Sequence, residues 1–334
     1  MSSTIRDVAR LAGVSIATVS RVVNNTAAVA ADKRRRVEKA VSELQYTPHP
    51  AARSLLGQET GGIGVLVPFV SGPFFSSFLD ALDNSAHDNG YFLLIASSHR
   101  KSNDIASAIA RMQYRVDGLI VMAPALHAST IRQLYADVPL VCVNMPIDDE
   151  DIPGIEVDNY GGAFEMTKHL LSQRTGPIAM VLGPDNSQDA LERKAGFEAA
   201  AQEYGIDRKD IYFIEGEFSE AFAFERVSQA WASGIRFNSL FGANDNSAVG
   251  AMMALQSHGI SIPQDVIIGG FDDTTVSQYT TPQLSSVRID TTKMGHLAIQ
   301  IMMQQLGHSE GPASNRIQLP TKLVARTSTI GMMP

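Results

Sequence analysis

Cysteine is almost missing from this chain. Cys142 is the only one among 334 residues, so no disulfide within the chain and no cysteine-built zinc site can form. It lies in the apolar run Pro139-Leu-Val-Cys-Val143, where a buried strand residue is expected. No apolar stretch approaches the roughly 20 residues that cross a bilayer. The opening Met1-Ser-Ser-Thr-Ile-Arg-Asp-Val-Ala-Arg10 carries an acid and lacks the hydrophobic segment of an export signal, so a cytoplasmic protein with no membrane partner is expected.

Catalytic signatures are missing too. There is no phosphate loop of the GxxxxGK[ST] type, no HExxH and no GxSxG. Gly61-Gly-Ile-Gly64 precedes a β-rich run, whereas a dinucleotide fingerprint follows one. Asp272 and Asp273 are adjacent, so their side chains diverge too far to flank one scissile bond. The histidines show no ligand spacing. No cofactor and no metal are expected. A sugar-acting enzyme, the alternative from another class, has no machinery to work with.

What is present is segregated charge. The net charge of −8 is wrong in sign for a nucleic-acid binder. Residues 1–60, however, hold nine Lys/Arg against five Asp/Glu, and the remaining 274 hold 18 against 30. A basic head on an acidic body confines contact with a polyanion to the head.

Within the head, Thr4 followed by Asp7 has the form of a capping box, and Ile5, Val8, Ala9 and Ala12 recur at helical spacing. Gly13-Val14 breaks this first helix, Ser15 can cap a second, and Val19, Val22 and Val23 form its buried stripe up to Asn24-Asn25. A third helix follows Ala31-Asp32, with Val37, Ala40, Val41 and Leu44 inward and Lys33 to Arg36 outward. Tyr46-Thr-Pro-His-Pro50 ends regular structure. Such a head is a helix-turn-helix, whose second helix enters the major groove of DNA. On that helix Ile16, Ala17, Arg21 and Asn24 point away from the buried stripe. Arg21 can fork onto guanine O6 and N7, worth about 1–3 kcal/mol of discrimination, while Ile16 and Ala17 can make only apolar contacts such as a thymine methyl. An isolated arginine would be an ordinary solvated residue. Its place on this helix makes it a base reader. Thr4, Ser15 and Thr18 complete the set expected to face DNA from the head.

From Ile63 onward short β-rich runs (Ile63–Val67, Tyr91–Ala96, Gly118–Met122, Leu140–Val143, Ile178–Leu182, Ile211–Ile214, Ser239–Phe241, Val266–Phe271, Leu323–Arg326) alternate with helix-length segments. Continuously apolar strands separated by helices imply parallel sheets covered on both faces, and their number implies two doubly wound sheets. The expected fold is an all-α head on an α/β body of two such subdomains.

The stretch Thr4-Ile-Arg-Asp-Val-Ala-Arg-Leu-Ala-Gly-Val-Ser-Ile-Ala-Thr-Val-Ser-Arg-Val-Val-Asn24 resembles the signature of the lactose-repressor/galactose-repressor (LacI/GalR) family. The resemblance continues at Tyr46-Thr-Pro-His-Pro-Ala-Ala-Arg-Ser-Leu55 and as far as Leu319-Pro-Thr-Lys-Leu-Val-Ala-Arg-Thr-Ser-Thr329. It implies a DNA-binding domain at residues 1–48, a hinge at 49–60 and a periplasmic-binding-protein-like body at 61–334. Within the body one subdomain spans about 61–158 and 289–317, the other about 159–288 and 318–334. The hinge can form barely two helical turns, too few for an isolated helix in water. The resemblance implies that Leu55, beside Ala52, wedges into the minor groove. His49 departs from the Asn usual there and is the weaker N-cap, which Pro50 at the first helical position offsets in part.

Ligands of such sheets bind at strand C-terminal ends. The resemblance implies an effector site of Phe74, Phe75, Arg193, Phe218, Asn244 and Asp272, aromatic faces for a sugar ring or base and polar groups for hydroxyls. Asp245 alone reads as a helix N-cap, and Asp273 as a turn residue. The implied protein is a repressor acting as a homodimer on palindromic operator DNA, controlled by a sugar or sugar derivative. A purine or other metabolite acting as corepressor is the alternative within the same architecture. No heptad tail for a tetramer follows the last strand.

The charge split carries a test. A chain lacking residues 1–58 is expected to stay folded and ligand-competent while losing specific operator binding at physiological salt. Gel-shift or anisotropy titration of the truncated body checks this, and retained specific binding would refute the assignment.

Overall fold

The computed structural model describes residues 3–23, 27–46, 59–98, 102–135, 138–309 and 315–330. Asn24, Ala52 and Leu55, three residues expected to meet DNA, lie outside the described residues. The chain divides into two compact units, the head and the α/β body.

The head folds as α1 (Ile5–Ala12), α2 (Ile16–Val23) and α3 (Ala31–Glu43). Both the backbone N–H and the hydroxyl of Thr4 donate to Asp7, at 3.0 and 2.6 Å. These bonds hold the Asp7 carboxyl below its usual range. Gly13, at φ 61°, adopts the left-handed conformation that ends α1, and Val14 N–H reaches back to Ala9 O at 3.1 Å. Ser15 caps α2 by accepting from Thr18 N–H at 3.2 Å. Val8, Ala9, Ala12, Val19, Val22, Val37 and Ala40 are buried together, so the three helices close one small core.

The body holds two six-stranded sheets. The first contains β1 (Gly62–Val67), β2 (Phe92–Ser97), β3 (Gly118–Val121), β4 (Leu140–Val143), β5 (Gly154–Val157) and β11 (Arg316–Leu319), in the order β11-β5-β4-β3-β1-β2 and parallel throughout. Its helices are α4 (Pro73–Asp88), α5 (Ser102–Met112), α6 (Ala128–Leu134) and α12 (Thr291–Gln305). The second contains β6 (Ile178–Leu182), β7 (Ile211–Glu215), β8 (Ser239–Gly242), β9 (Ile267–Asp272), β10 (Ser285–Arg288) and β12 (Lys322–Val324), in the order β12-β10-β9-β8-β6-β7. Its helices are α7 (Asn159–Gln173), α8 (Gln188–Glu203), α9 (Glu220–Ala232), α10 (Asp245–Ser257) and α11 (Thr275–Tyr279). The chain changes sheets after β5, after β10 and between β11 and β12, so three crossings join the lobes.

Three departures from the sequence pattern have physical causes. β12 runs antiparallel to β10, because only a short connection separates it from β11 and no helix returns it to the parallel sense. β5, β10 and β11 escaped the pattern because each is four residues long and carries polar or charged groups. Ser285 and Ser286 are fully buried in β10 and spend their hydroxyls on Arg326 O and on Asp245. β2, expected as a buried run, is an edge strand with Phe92 53% and Ile95 42% exposed.

In the second lobe α8 lies close against α7, and a Cβ on Gly196 would come 2.2 Å from Tyr160 O. Phe213, Phe197, Phe241 and Phe271 form a continuous aromatic row, with ring centroids 5.8, 6.4 and 6.5 Å apart. The row ends at the cleft. Gly196→Ala is therefore expected to push α8 off α7, costing about 1–3 kcal/mol as overpacking does. Urea unfolding checks this, and unchanged stability would show that the helices can separate freely.

Candidate functional site

The exposed face of α2 and its approach carry the residues expected to meet DNA. Ile16 is 45% exposed although apolar, and Ala17 and Arg21 lie exposed on the same helix, opposite Val19 and Val22. Thr18 is half-buried, and its hydroxyl lies 2.9 Å from Ser15 Oγ. Ser15 and Thr18 thus organise the start of the helix. Thr4 is exposed and does the same for α1.

In the body a cavity of about 540 Å³ opens between the lobes, and all six residues expected to hold an effector line it. Phe74 and Phe75 occupy the first turn of α4, which Pro73 opens. Their rings meet edge-on at 5.3 Å, and Phe69 packs edge-on against Phe75 at 6.2 Å. Phe218 comes from the opposite lobe, in the loop after β7. Its ring covers Gly183, where a Cβ would lie 2.5 Å away.

Arg193, on α8, is only 2% exposed. Its Nη1 donates to Ala243 O at 2.7 Å and lies 3.3 Å from Asp272 Oδ1, while Nε donates to Asn159 Oδ1 at 3.0 Å. The guanidinium stacks on Phe271, 3.8 Å from the ring centroid, with Phe218 at 5.6 Å. Asp272 closes β9 with φ 104°, and Asn144, Glu217 and Phe218, also lining the cavity, have φ 46°, 54° and 55°. Strain of this kind gathers where a surface must hold a defined shape.

Asn244, and not Asp245, is the N-cap of α10: its Oδ1 accepts from Ser247 N–H at 2.9 Å, and its Nδ2 reaches Phe218 O at 3.4 Å. Asp245 sits just inside the helix, 1% exposed, and takes Thr274 N–H, the Thr274 hydroxyl and the Ser286 hydroxyl. Asp273 is more than a turn residue, since it pairs with Arg288 and Arg326, both at 2.6 Å. Asn144, Asp189 and Phe69 line the cavity without having been expected there. Asn144 directly follows the run Leu140–Val143, and Phe69 closely follows Ile63–Val67, so the strand-end rule applied elsewhere would have found both. Among the described residues no acid, histidine or cysteine cluster could hold a metal ion, and no helix is long and apolar enough to cross a membrane.

Comparison with known proteins matches residues 4–49 to the bacterial regulatory proteins of the lacI family and residues 167–329 to a periplasmic binding protein-like domain. The chain belongs to the LacI family. It is a DNA-binding transcription regulator with a small-molecule-binding body. It is 33% identical to the HTH-type transcriptional regulator GalR of Escherichia coli K12, over 98% of this chain and 95% of that one. It is 31% identical to the ribose operon repressor of the same strain, over 98% and 99%. The lac repressor dimer bound to operator and the anti-inducer ONPF superposes with a TM-score of 0.82 at 27% identity, covering 99% of this chain and 100% of that one.

Burial pushes the Asp272 carboxyl up while Arg193 beside it pulls it back down, and burial pushes Asp245 up to about 7 although Ser286 and Thr274 donate to it. A carboxyl raised in the fold keeps a proton that the unfolded chain has already released. For Asp245 its stabilising effect is therefore fully present below about pH 4 and is lost as the pH rises through 7. The melting temperature is expected to fall between about pH 5 and about pH 8, and to fall less in Asp245→Asn, which cannot ionise. Parallel calorimetric scans check the difference, and equal slopes would show that Asp245 stays ionised throughout.

Proposed function

We propose that this protein is a repressor that binds palindromic operator DNA as a homodimer and is controlled by an uncharged sugar in the cleft, held by Phe74, Phe75, Phe218, Arg193, Asn244 and Asp272. The composition of the cavity carries this assignment. Phenylalanine rings from both lobes offer apolar faces to the C–H side of a sugar ring. Arg193, Asn144, Asn244, Asp189 and Asp272 offer donors and acceptors to its hydroxyls.

The charge pattern favours a neutral ligand. Arg193 is the only cationic side chain lining the cavity among the described residues, and it already faces Asp272. Helices α8, α9 and α10 start at the cavity, and helix N-termini attract anions. Two of these helices carry an acid in the first turn that faces the cavity, Asp189 of α8 and Glu220 of α9, while Asp245 of α10 is buried and pushed up to about 7. A phosphate or carboxylate group would face Asp189 and Glu220 with no free cation among the described residues of the lining to pair with.

Two relatives are named for sugar systems, the ribose operon repressor and the CelR–cellobiose complex, the latter 25% identical with a TM-score of 0.71. A dimer suits both the two-fold operator and the exposed Phe92 and Ile95 on the edge strand β2. Arg21 would read a guanine from the exposed side of α2, with Ile16 and Ala17 beside it.

The test is a thermal-shift screen with D-galactose, D-ribose and cellobiose, their phosphate esters and acids, and hypoxanthine. A ligand at about 100 times its Kd stabilises the fold by roughly 2.7 kcal/mol. One of the neutral sugars is expected to raise the melting temperature and to change operator affinity, both effects being lost in Asp272→Ala. A larger shift from a charged derivative would overturn the neutral-sugar assignment, a shift from hypoxanthine alone would favour a base, and no shift at all would remove the cleft from consideration.

A further inference from the structure

Asn159 does not line the 540 Å³ cavity, yet it touches what does. It is the first residue of α7, immediately past the crossing from β5, and is 2% exposed. Its Oδ1 accepts from Arg193 Nε at 3.0 Å. Its Nδ2 lies 3.2 Å from Asn144 Oδ1, 3.3 Å from Glu192 Oε2 and 3.3 Å from Val157 O. Chemistry fixes which way the amide points, because Arg193 can only donate and the carboxylate and carbonyl can only accept. An amide is needed here, since one side chain must accept on one side and donate on the other. A serine could not reach both partners, and an aspartate would set a carboxylate against Glu192.

The partners belong to different lobes. Arg193 lies on α8 of the second lobe, whereas Asn144 follows β4 of the first and is held there by its N–H to Ile155 O at 2.7 Å. Asn144 lines the large cavity and also a neighbouring one of about 380 Å³, and Asn159 lines the latter. A polar chain therefore runs from Asp272 through Arg193 and Asn159 to Asn144, behind the cavity wall.

We propose that Asn159 is the positioning residue that passes occupancy of the cavity, sensed at Arg193, to the first lobe at Asn144. The proposal rests on the cleft being the effector site. A sugar hydroxyl that draws on Arg193 or Asp272 shifts the guanidinium. Because Nε is bound to Asn159, the shift changes the bond from Nδ2 to Asn144. Only an interaction that differs between ligand states can bias the lobes, and this bond differs. Glu192 steadies the amide in between, itself held by Gln188 Nε2 at 2.9 Å. The N–H of Gln188, at the head of the same helix, reaches Pro124 O of the first lobe at 3.1 Å.

The experiment uses the full chain and whichever of D-galactose, D-ribose or cellobiose gives the thermal shift. Coupling is the ratio of the sugar Kd with operator bound to the Kd without it, expected to differ from one by about 5–150-fold in the wild type. Asn144 sits at φ 46°, so Asn144→Gly removes the cross-lobe acceptor without straining the backbone. In that variant the ratio is expected to fall to within about twofold of one, whatever the change in the sugar Kd of the free protein, which is measured alongside because Asn144 also lines the cavity. Asn144→Asp keeps the acceptor and is expected to keep the coupling. Asn159→Ala should lose coupling as Asn144→Gly does, and the double variant should lose no more coupling than either, because the cross-lobe bond between Asn159 Nδ2 and Asn144 Oδ1 is the one both changes remove. Wild-type coupling in Asn144→Gly or in Asn159→Ala would overturn the proposal. A sugar Kd raised equally with and without operator would also overturn it, making Asn144 a sugar contact and nothing more. If no sugar shifts the melting temperature, the effector assignment itself fails, a result distinct from sugar binding with coupling intact.

Discussion

The guanidinium of Arg193 is a buried charge, and a charge taken out of water must be paired and hydrogen-bonded or the fold does not tolerate it. Its partners come from the start of α7 (Asn159), the residue after β8 (Ala243) and the end of β9 (Asp272). Phe271 supplies a face at 3.8 Å. Satisfying one side chain therefore fixes four elements of the second lobe against each other. Gly196, one turn along α8 from Arg193, allows the close approach to α7 that brings Asn159 into reach. Removing one partner of such a buried pair costs about 3–5 kcal/mol, mostly for the charge left unpaired.

The same site concentrates backbone strain. Asn144, Glu217, Phe218, Asp272 and Asp273 all have positive φ, and the first four line the cavity. Each such residue costs of order 1–3 kcal/mol. The compensation is visible for Asp273, whose carboxylate is clamped by Arg288 and Arg326, and for Phe218, whose carbonyl accepts from the Asn244 amide. A cavity floor held this way meets a ligand with its polar groups already aimed, so less ordering entropy is lost on binding.

Much of this could be read from the residues. Helical periodicity and the Thr4, Gly13 and Ser15 signals placed the head helices, because each acts within one turn of chain. Apolar runs placed the central strands, which are buried on both faces and carry little else. What escaped depends on partners distant in sequence. β10 reads as Ser-Ser-Val-Arg, and its hydroxyls make sense only once Asp245 and Arg326 stand beside them. The capping role fell to Asn244 in place of Asp245 because adjacent residues at a helix start both have capping chemistry, and packing decides which one turns inward. Asn159 carried no signal of its own. An amide at the start of a helix is ordinary until Arg193 and Asn144, 34 and 15 residues away, converge on it.

The connectivity of the body limits how its lobes can move. Two of the three crossings are tied together: Asp158 N–H donates to Leu319 O at 3.1 Å, and the Thr321 hydroxyl lies 3.4 Å from Asp158 O. With the third at Ile289-Asp290, the strands that change lobes leave little freedom for sliding, and relative motion reduces to rotation about the bundle of crossings. Rotation about an axis produces its smallest displacements beside that axis and its largest at the far rim of the cleft. Asn159 sits beside the axis, so its bonds of 3.0–3.3 Å can persist through small rotations and still change strength. Phe74 and Phe75 lie on the other lobe from Phe218 and must approach it to enclose a ring. Contacts near the axis can therefore register what is bound, while the aromatic walls determine how far the cleft closes.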